Sequence, residues 1–62
     1  MVKIGDIVTY QIGKANLRGI VTHINEFEAV QVYDHIKEGR EAIKLGRVPP
    51  GFSLEKGEYT IE

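Results

Sequence analysis

The chain contains no cysteine and no tryptophan, and only two of its 62 residues are histidine. The lack of cysteine excludes disulfide bridges and every zinc site built on thiolates. Two imidazoles without a thiolate do not predict a structural metal site. No apolar run approaches the ~18 residues of a membrane-spanning helix, and the N-terminus lacks the apolar segment of a signal peptide. We therefore expect a cytoplasmic protein that holds no metal or cofactor and contacts no membrane.

A large excess of charge is also missing, since eight basic and nine acidic residues give a net charge of −1. A protein that coats nucleic acid is normally strongly basic, because neutralised phosphates supply most of its non-specific affinity. The charge is uneven, however: segments 1–25 and 37–47 are basic on balance, whereas 26–34 is acidic. A local basic patch forms if the two basic segments fold together. Interspersed charge that only solvates the surface is the alternative.

What the sequence does contain is a repeated alternation of apolar and polar residues with a period of two, which is typical of half-buried strands. The first three predicted strands are DIVTYQI (6–12), LRGIVTHI (17–24) and AVQVYDHI (29–36). NEFE (25–28) is a tight connection, and FSLEKGEYTIE (52–62) predicts a short strand, a turn and a closing strand. About five short strands in a single domain, 1–62, predict an all-β fold: a small SH3-like antiparallel barrel, whose closure leaves few strand edges open.

The segment DHIKEGREAIKLGR (34–47) allows two interpretations. Asp34 can cap a helix that ends at Gly46, and the Glu, Lys, Arg and Ala residues between them suit a helix. Gly39 then lies inside the helix, at a cost of about 1 kcal/mol relative to alanine. KEGR is also typical of a hairpin turn that leads into a fourth strand. We favour the hairpin and keep one short helix within 34–46 as the alternative.

The same alternation predicts which side chains form the core. They are apolar and share the inward phase of their strands: Val8, Tyr10, Ile20, Val21, Ile24, Val30, Val32, Ile43, Leu45, Leu54 and Ile61. Tyr33 has the opposite phase from Val30 and Val32 and is expected to point outward. The VPPG loop (48–51) is expected to be rigid, because proline fixes its own φ and restricts the residue before it.

The first third of the chain carries a composite pattern: an apolar residue, a Gly-Asp turn, alternating strand residues, a loop with glycine, then Gly-x-Val-x-x-Ile. These positions are Ile4, Gly5, Asp6, Val8, Tyr10, Gly13, Gly19, Val21 and Ile24. Residues 2–24 thereby resemble the KOW motif and the related Tudor-like modules of SH3-like fold. The resemblance implies a non-enzymatic binding module whose partner is RNA, a transcription or translation complex, or a modified peptide.

Barrel geometry explains the three glycines of this pattern without a ligand. Gly5 suits a turn into the first strand, and Gly13 suits a loop that reverses direction through positive φ. Gly19 begins a strand that must bend sharply, and a side chain there would crowd the closure of the barrel. Val21 and Ile24 are three residues apart, so a β-bulge near residue 22 is needed to bring both to the core.

The candidate binding residues are four cations and one aromatic residue: Lys14, Arg18, Lys44, Arg47 and Tyr33. Cations attract phosphates and exposed aromatic rings stack on bases, so these residues predict a basic rim for RNA or for an acidic protein surface. A Tudor-like cage for methylated amines requires converging aromatic rings. Only Tyr33, with Phe27 or Phe52, is expected outside the core.

Other functions are weighed against RNA binding. A protein–protein interaction module, or a phage- or plasmid-type modulator of a host factor, fits the small size and near-neutral charge. Catalysis is not expected, because His23 and His35 lack the spacing of metal ligands and no nucleophile motif is present. VQVY (30–33) resembles a strand of the trimethoprim-resistant dihydrofolate reductases, which are oligomers of SH3-like barrels, but Tyr10 or Gln11 replaces their first-strand lysine. We expect a monomer, or a homodimer joined through a strand edge.

Overall fold

Five strands and one helix follow one another in the computed structural model, which describes residues 1–48 and 51–62. They are β1 (Ile7–Ile12), β2 (Ala15–Ile24), β3 (Val30–Tyr33), α1 (Ile36–Leu45), β4 (Phe52–Leu54) and β5 (Tyr59–Ile61). The strands form one antiparallel sheet of order β4-β3-β2-β1-β5. The sheet curls into a half-barrel of the SH3-like class, which confirms the predicted fold class.

The turns at the start of the chain have the predicted chemistry. Gly5 has a φ of 96°, and its N–H donates a 2.8 Å hydrogen bond to the carbonyl of Val21. The carboxylate of Asp6 accepts a 2.8 Å hydrogen bond from the Lys3 N–H, which closes the turn before β1. Gly13 has a φ of 59° in the two-residue turn that joins β1 to β2. Positive φ in so short a hairpin turn favours glycine.

β2 bends as the sequence predicts. Its pairing with β3 shifts register between Val21 and His23, so the expected β-bulge at Thr22 is present. The hydroxyl of Thr22 is buried and donates a 3.3 Å hydrogen bond to the carbonyl of Gln31. A Cβ on Gly19 would lie 3.1 Å from the Tyr33 carbonyl oxygen and 3.2 Å from Cβ of Val32, so a side chain there would crowd its neighbours, as predicted.

The core fills the concave face of the sheet, and it includes most of the predicted residues. Its buried members are Val2, Val8, Tyr10, Val21, Val30, Val32 and Leu54, with Leu17, Ile24 and Tyr59 packed against them. Three predictions are wrong, because Leu45 and Ile61 are 66% and 43% exposed, and Ile43 is only half-buried on α1 and does not belong to this core. Leu45 lies in the last turn of a helix rather than in a strand, and Ile61 lies on an edge strand.

The segment 34–47 forms the helix α1, so the favoured hairpin is wrong and the alternative is confirmed. The helix ends as predicted at Gly46, which has a φ of 67°. The N–H groups of Gly46 and Arg47 donate to the carbonyls of Ile43 and Ala42, the pattern of a Schellman motif. Asp34 is not the N-cap; His35 occupies that position without a side-chain hydrogen bond.

α1 covers the convex face of the sheet, where it contacts β2. Gly39 is buried against this face, and a Cβ there would collide with Cγ2 of Ile20 and touch the ring of Tyr33. Ile20 is fully buried, but it lies under the helix and not in the concave core. The intrinsic cost of Gly39 in a helix is thus offset by the close approach of α1 to β2.

Two further findings are limited to part of the chain. The predicted rigidity of the 48–51 loop concerns residues 49 and 50, which lie outside the described residues. Among the residues that are described, no helix is long and apolar enough to cross a membrane.

Candidate binding site on the convex face

The convex face carries an uncharged polar surface on the half of the sheet that α1 leaves open. Thr9 pairs with Arg18 on β2 and with Thr60 on β5, and Gln11 pairs with Asn16. Residues that face each other across antiparallel strands point to the same side of the sheet. Hydroxyl and amide groups therefore form a continuous row across β5, β1 and β2, on the face opposite the core.

A groove of about 380 Å³ lies between the sheet and the turn that joins β4 to β5; it is lined by Thr9, Tyr10, Gln11, Asn16, Gly57, Glu58, Tyr59 and Thr60. We call it the convex groove; its polar lining consists of Thr9, Gln11, Asn16, Glu58 and Thr60. The carboxylate of Glu58 is already engaged, because it accepts a 2.7 Å hydrogen bond from the Glu55 N–H within the turn. Amides and hydroxyls can donate and accept hydrogen bonds, so the groove suits a polar ligand with both kinds of group.

Arg18 lies beside the convex groove, where it forms a bidentate pair with Glu62. Its Nε and Nη2 atoms donate to the two carboxylate oxygens at 2.8 and 2.5 Å. This hydrogen bonding and the opposite charge raise the pKa of Arg18, and the same hydrogen bonding lowers the pKa of Glu62. Both side chains are well exposed, so the pair is accessible to a competing anion.

α1 contributes a row of cations on the same face of the sheet. Lys37, Arg40 and Lys44 are exposed and follow the spacing i, i+3, i+7, which places them along one flank of a helix. None of the three forms an ion pair within the described part of the chain. Sequence reasoning selected only Lys44 from this row, because a hairpin offers no helical period that would align Lys37 and Arg40 with it.

The other predicted site residues lie at the margins of this surface. Lys14 is exposed in the β1–β2 turn, next to the end of the convex groove where Gln11 pairs with Asn16. Arg47 is exposed just beyond the end of α1. In the part of the chain that the structure describes, no hydrogen bond or ion pair links any predicted site residue to another.

The aromatic residues are arranged differently from the expectation. Tyr33 points to the convex face as predicted, but α1 half-buries it and its ring contacts His35 edge-on at 5.4 Å between centroids. Phe27 is 74% exposed in the β2–β3 loop. The rings that converge are Tyr10 and Phe52, which lie 6.2 Å apart. The alternation in the sequence correctly places Tyr10 in the core. It does not indicate that the ring of Tyr10 also lies beside the exposed ring of Phe52.

No cluster of three or more His, Asp or Glu side chains suited to a metal ion occurs among residues 1–48 and 51–62. The chain matches no protein-family model, no curated protein and no solved structure. Its function must therefore be argued from the surfaces described above.

Proposed function

We propose that this chain is a cytoplasmic, non-enzymatic binding module that docks on RNA, alone or within a transcription or translation complex, through its convex face. One observation carries the proposal: the convex groove, whose lining is mostly uncharged polar side chains, shares that face with the exposed cations of α1, Lys37, Arg40 and Lys44. Amides and hydroxyls can bond to bases and riboses, whereas the cations attract the phosphates.

The low net charge is compatible with this role because cations outnumber anions on α1. The helix carries Lys37, Arg40 and Lys44 against Glu38 and Glu41, and Lys14 and Arg18 border the convex groove. Glu62 neutralises Arg18 in the free protein, but an exposed ion pair contributes little stability and a phosphate can take its place. Arg18 is therefore a phosphate ligand that Glu62 holds in position until RNA arrives.

Salt-dependent binding of RNA tests the proposal. We would measure the fluorescence anisotropy of a labelled single-stranded RNA with the full chain over a range of salt concentrations. Each phosphate contact lowers log K by about 0.7 per unit of log salt, so three or four contacts predict a slope of about −2 to −3. A slope near zero, or no binding at low salt, would overturn the proposal.

Two charge-matched single variants identify the surface. Lys44→Gln removes one cation from α1, whereas Lys3→Gln removes one cation elsewhere. We expect the first variant to lose about threefold in affinity at low salt and to give a shallower slope, and the second to change little. Glu58→Gln removes the one carboxylate that lines the convex groove and is expected to strengthen binding. Equal losses in the two lysine variants would place the RNA elsewhere.

A protein partner is the second candidate, favoured by exposed apolar side chains, two of which, Ile12 and Phe52, line the same recess. Those of Met1, Ile4, Ile12, Phe27, Leu45, Phe52 and Ile61 are all at least 41% exposed. Contiguous exposed apolar surface often marks a contact with another macromolecule. Binding through such a surface depends weakly on salt and survives nuclease treatment, which distinguishes it from binding through the cations.

A further inference from the structure

A second recess lies on the opposite, concave face, at the end of the half-barrel next to the β1–β2 turn. It has a volume of about 240 Å³, and its apolar walls include Tyr10, Ile12, Leu17 and Phe52. We call it the concave groove. Ile12 and Phe52 are 41% and 50% exposed, so the core is left uncovered at this end of the sheet.

Phe52 offers a supported aromatic face to this groove. The ring of Tyr10 lies nearly parallel to that of Phe52, at an interplanar angle of 12°, and Tyr10 itself is only 6% exposed. Tyr10 therefore packs beside the ring of Phe52 with its centroid 6.2 Å away, and Phe52 keeps part of its surface open to solvent. A ring held in this way can accept a planar group or a cation on its free side.

Among the described residues that line the concave groove, Asp34 is the one that carries a charge. Its side chain is 65% exposed, and Nε2 of His35 lies 3.7 Å from its Oδ1. Burial raises the pKa of Tyr10, and the negative charge of Asp34 raises it further, so the field of this carboxylate reaches the aromatic wall. The groove thus combines apolar walls, a free aromatic face and one negative charge at its edge.

We propose that the concave groove binds an arginine side chain carried by an apolar segment of a partner protein. The guanidinium group stacks on the free side of Phe52 and pairs with Asp34, and the apolar neighbours of the arginine cover Ile12 and Leu17. Arginine suits the site better than lysine, because its planar group stacks on an aromatic ring and pairs with a carboxylate at the same time. The two grooves share Tyr10 in their linings, but their other lining residues differ.

An NMR titration of the ¹⁵N-labelled full chain with the capped tripeptide acetyl-Leu-Arg-Leu-amide tests the proposal. Two control peptides carry lysine, or the uncharged isostere citrulline, in place of arginine. We expect amide shifts to cluster at residues 10–12, 17, 32–34 and 51–52. The citrulline peptide is expected to bind about five- to tenfold more weakly, from the combined loss of ion-pair and cation–π attraction. Equal binding of the arginine and citrulline peptides would overturn the proposal.

Two conservative variants separate the two contributions. Asp34→Asn keeps the shape of an exposed side chain, and we expect it to weaken arginine binding about three- to fivefold while leaving citrulline binding unchanged. Phe52→Leu keeps an apolar side chain and removes the ring, with an expected loss of about threefold for arginine. The spectra of the free variants report whether each is folded. An arginine preference that is as large in Asp34→Asn as in the natural sequence contradicts the assignment.

Two further outcomes would also overturn the arginine assignment. Shifts at the same amides on dilution of the free protein mean that a second copy fills the concave groove, which would overturn the arginine assignment. Displacement of the peptide by RNA would overturn it as well, because the groove would then belong to the nucleic-acid surface. Failure of the chain to bind RNA leaves the peptide titration unaffected, so the two proposals fail separately.

Discussion

At the scale of a single residue, Gly39 controls how closely α1 approaches the sheet. A Cβ at this position would collide with Cγ2 of Ile20 and lie 3.4 Å from Cδ2 of Tyr33. Ile20 is itself completely buried, so it has little room in which to move. The helix can regain its position after a substitution only by shifting outward from β2.

The first prediction concerns Gly39→Ala. Alanine raises the helix propensity by about 1 kcal/mol, but overpacking against a full interior costs about 1–3 kcal/mol, so we expect a net loss of stability. Urea unfolding followed by circular dichroism measures it. Ile20→Ala removes the obstructing methyl group, so Gly39→Ala should become neutral or stabilising in that background. A stabilising effect of Gly39→Ala alone would mean that α1 is not seated against Ile20.

Gly39 also explains why the segment 34–47 is misjudged from the sequence. The low helix propensity of glycine is a local property that is visible in the sequence. The close packing of α1 that Gly39 permits depends on Ile20, which lies nineteen positions earlier in the chain. The turn glycines Gly5 and Gly13 are predictable because their need arises from neighbouring residues. Tyr33 shows the same limit. The alternation correctly predicts that its side chain points outward, but the structure favoured from the sequence for segment 34–47 does not include the helix that covers it.

At the scale of the elements, a small group of contacts fastens the β4–β5 hairpin to the β2–β3 loop. The hydroxyl of Tyr59 donates a 2.8 Å hydrogen bond to the carbonyl of Glu28, and Lys56 Nζ lies 2.7 Å from Glu28 Oε2. Glu28 has a φ of 61°, an uncommon value for a residue with a side chain. These contacts help to maintain the curvature of the sheet, because β5 otherwise pairs only with β1 among the described strands.

We predict that Tyr59→Phe weakens this fastening. The loss of a hydrogen bond from a half-buried hydroxyl costs about 0.5–1.5 kcal/mol, and the carbonyl of Glu28 becomes available to water. Chemical denaturation measures the loss, and hydrogen exchange should show faster opening of β5 than of β2. Tyr33→Phe is the matched control, since the Tyr33 hydroxyl makes no hydrogen bond within the described residues. Similar losses in both variants would indicate that the Glu28 contact contributes nothing particular.

At the scale of the whole molecule, two exposed ion pairs link parts of the chain that are distant in sequence. Arg18–Glu62 ties the end of β5 to β2 across β1, and Lys56–Glu28 ties the last hairpin to the β2–β3 loop. Hydrogen bonding from the partner cation lowers the pKa of each carboxyl group below its ordinary value of 4.5. Both pairs depend on their carboxylates being ionised, so the stability of the folded chain depends on pH.

The sign of this dependence follows from linkage. A carboxyl group whose pKa is lower in the folded state stabilises the fold at pH values above its unfolded pKa, and this contribution is lost as the pH falls through the folded pKa. We therefore expect the urea midpoint to fall as the pH drops below about 4.5, the ordinary value for both carboxyl groups, and salt to reduce the fall because the pairs are exposed. The double variant Glu28→Gln with Glu62→Gln should show a smaller acid-induced fall, because two linked protons are removed. An identical pH profile for the double variant and the natural sequence would show that other carboxyl groups cause the acid sensitivity. Packing, rather than these ion pairs, would then maintain the curvature of the sheet.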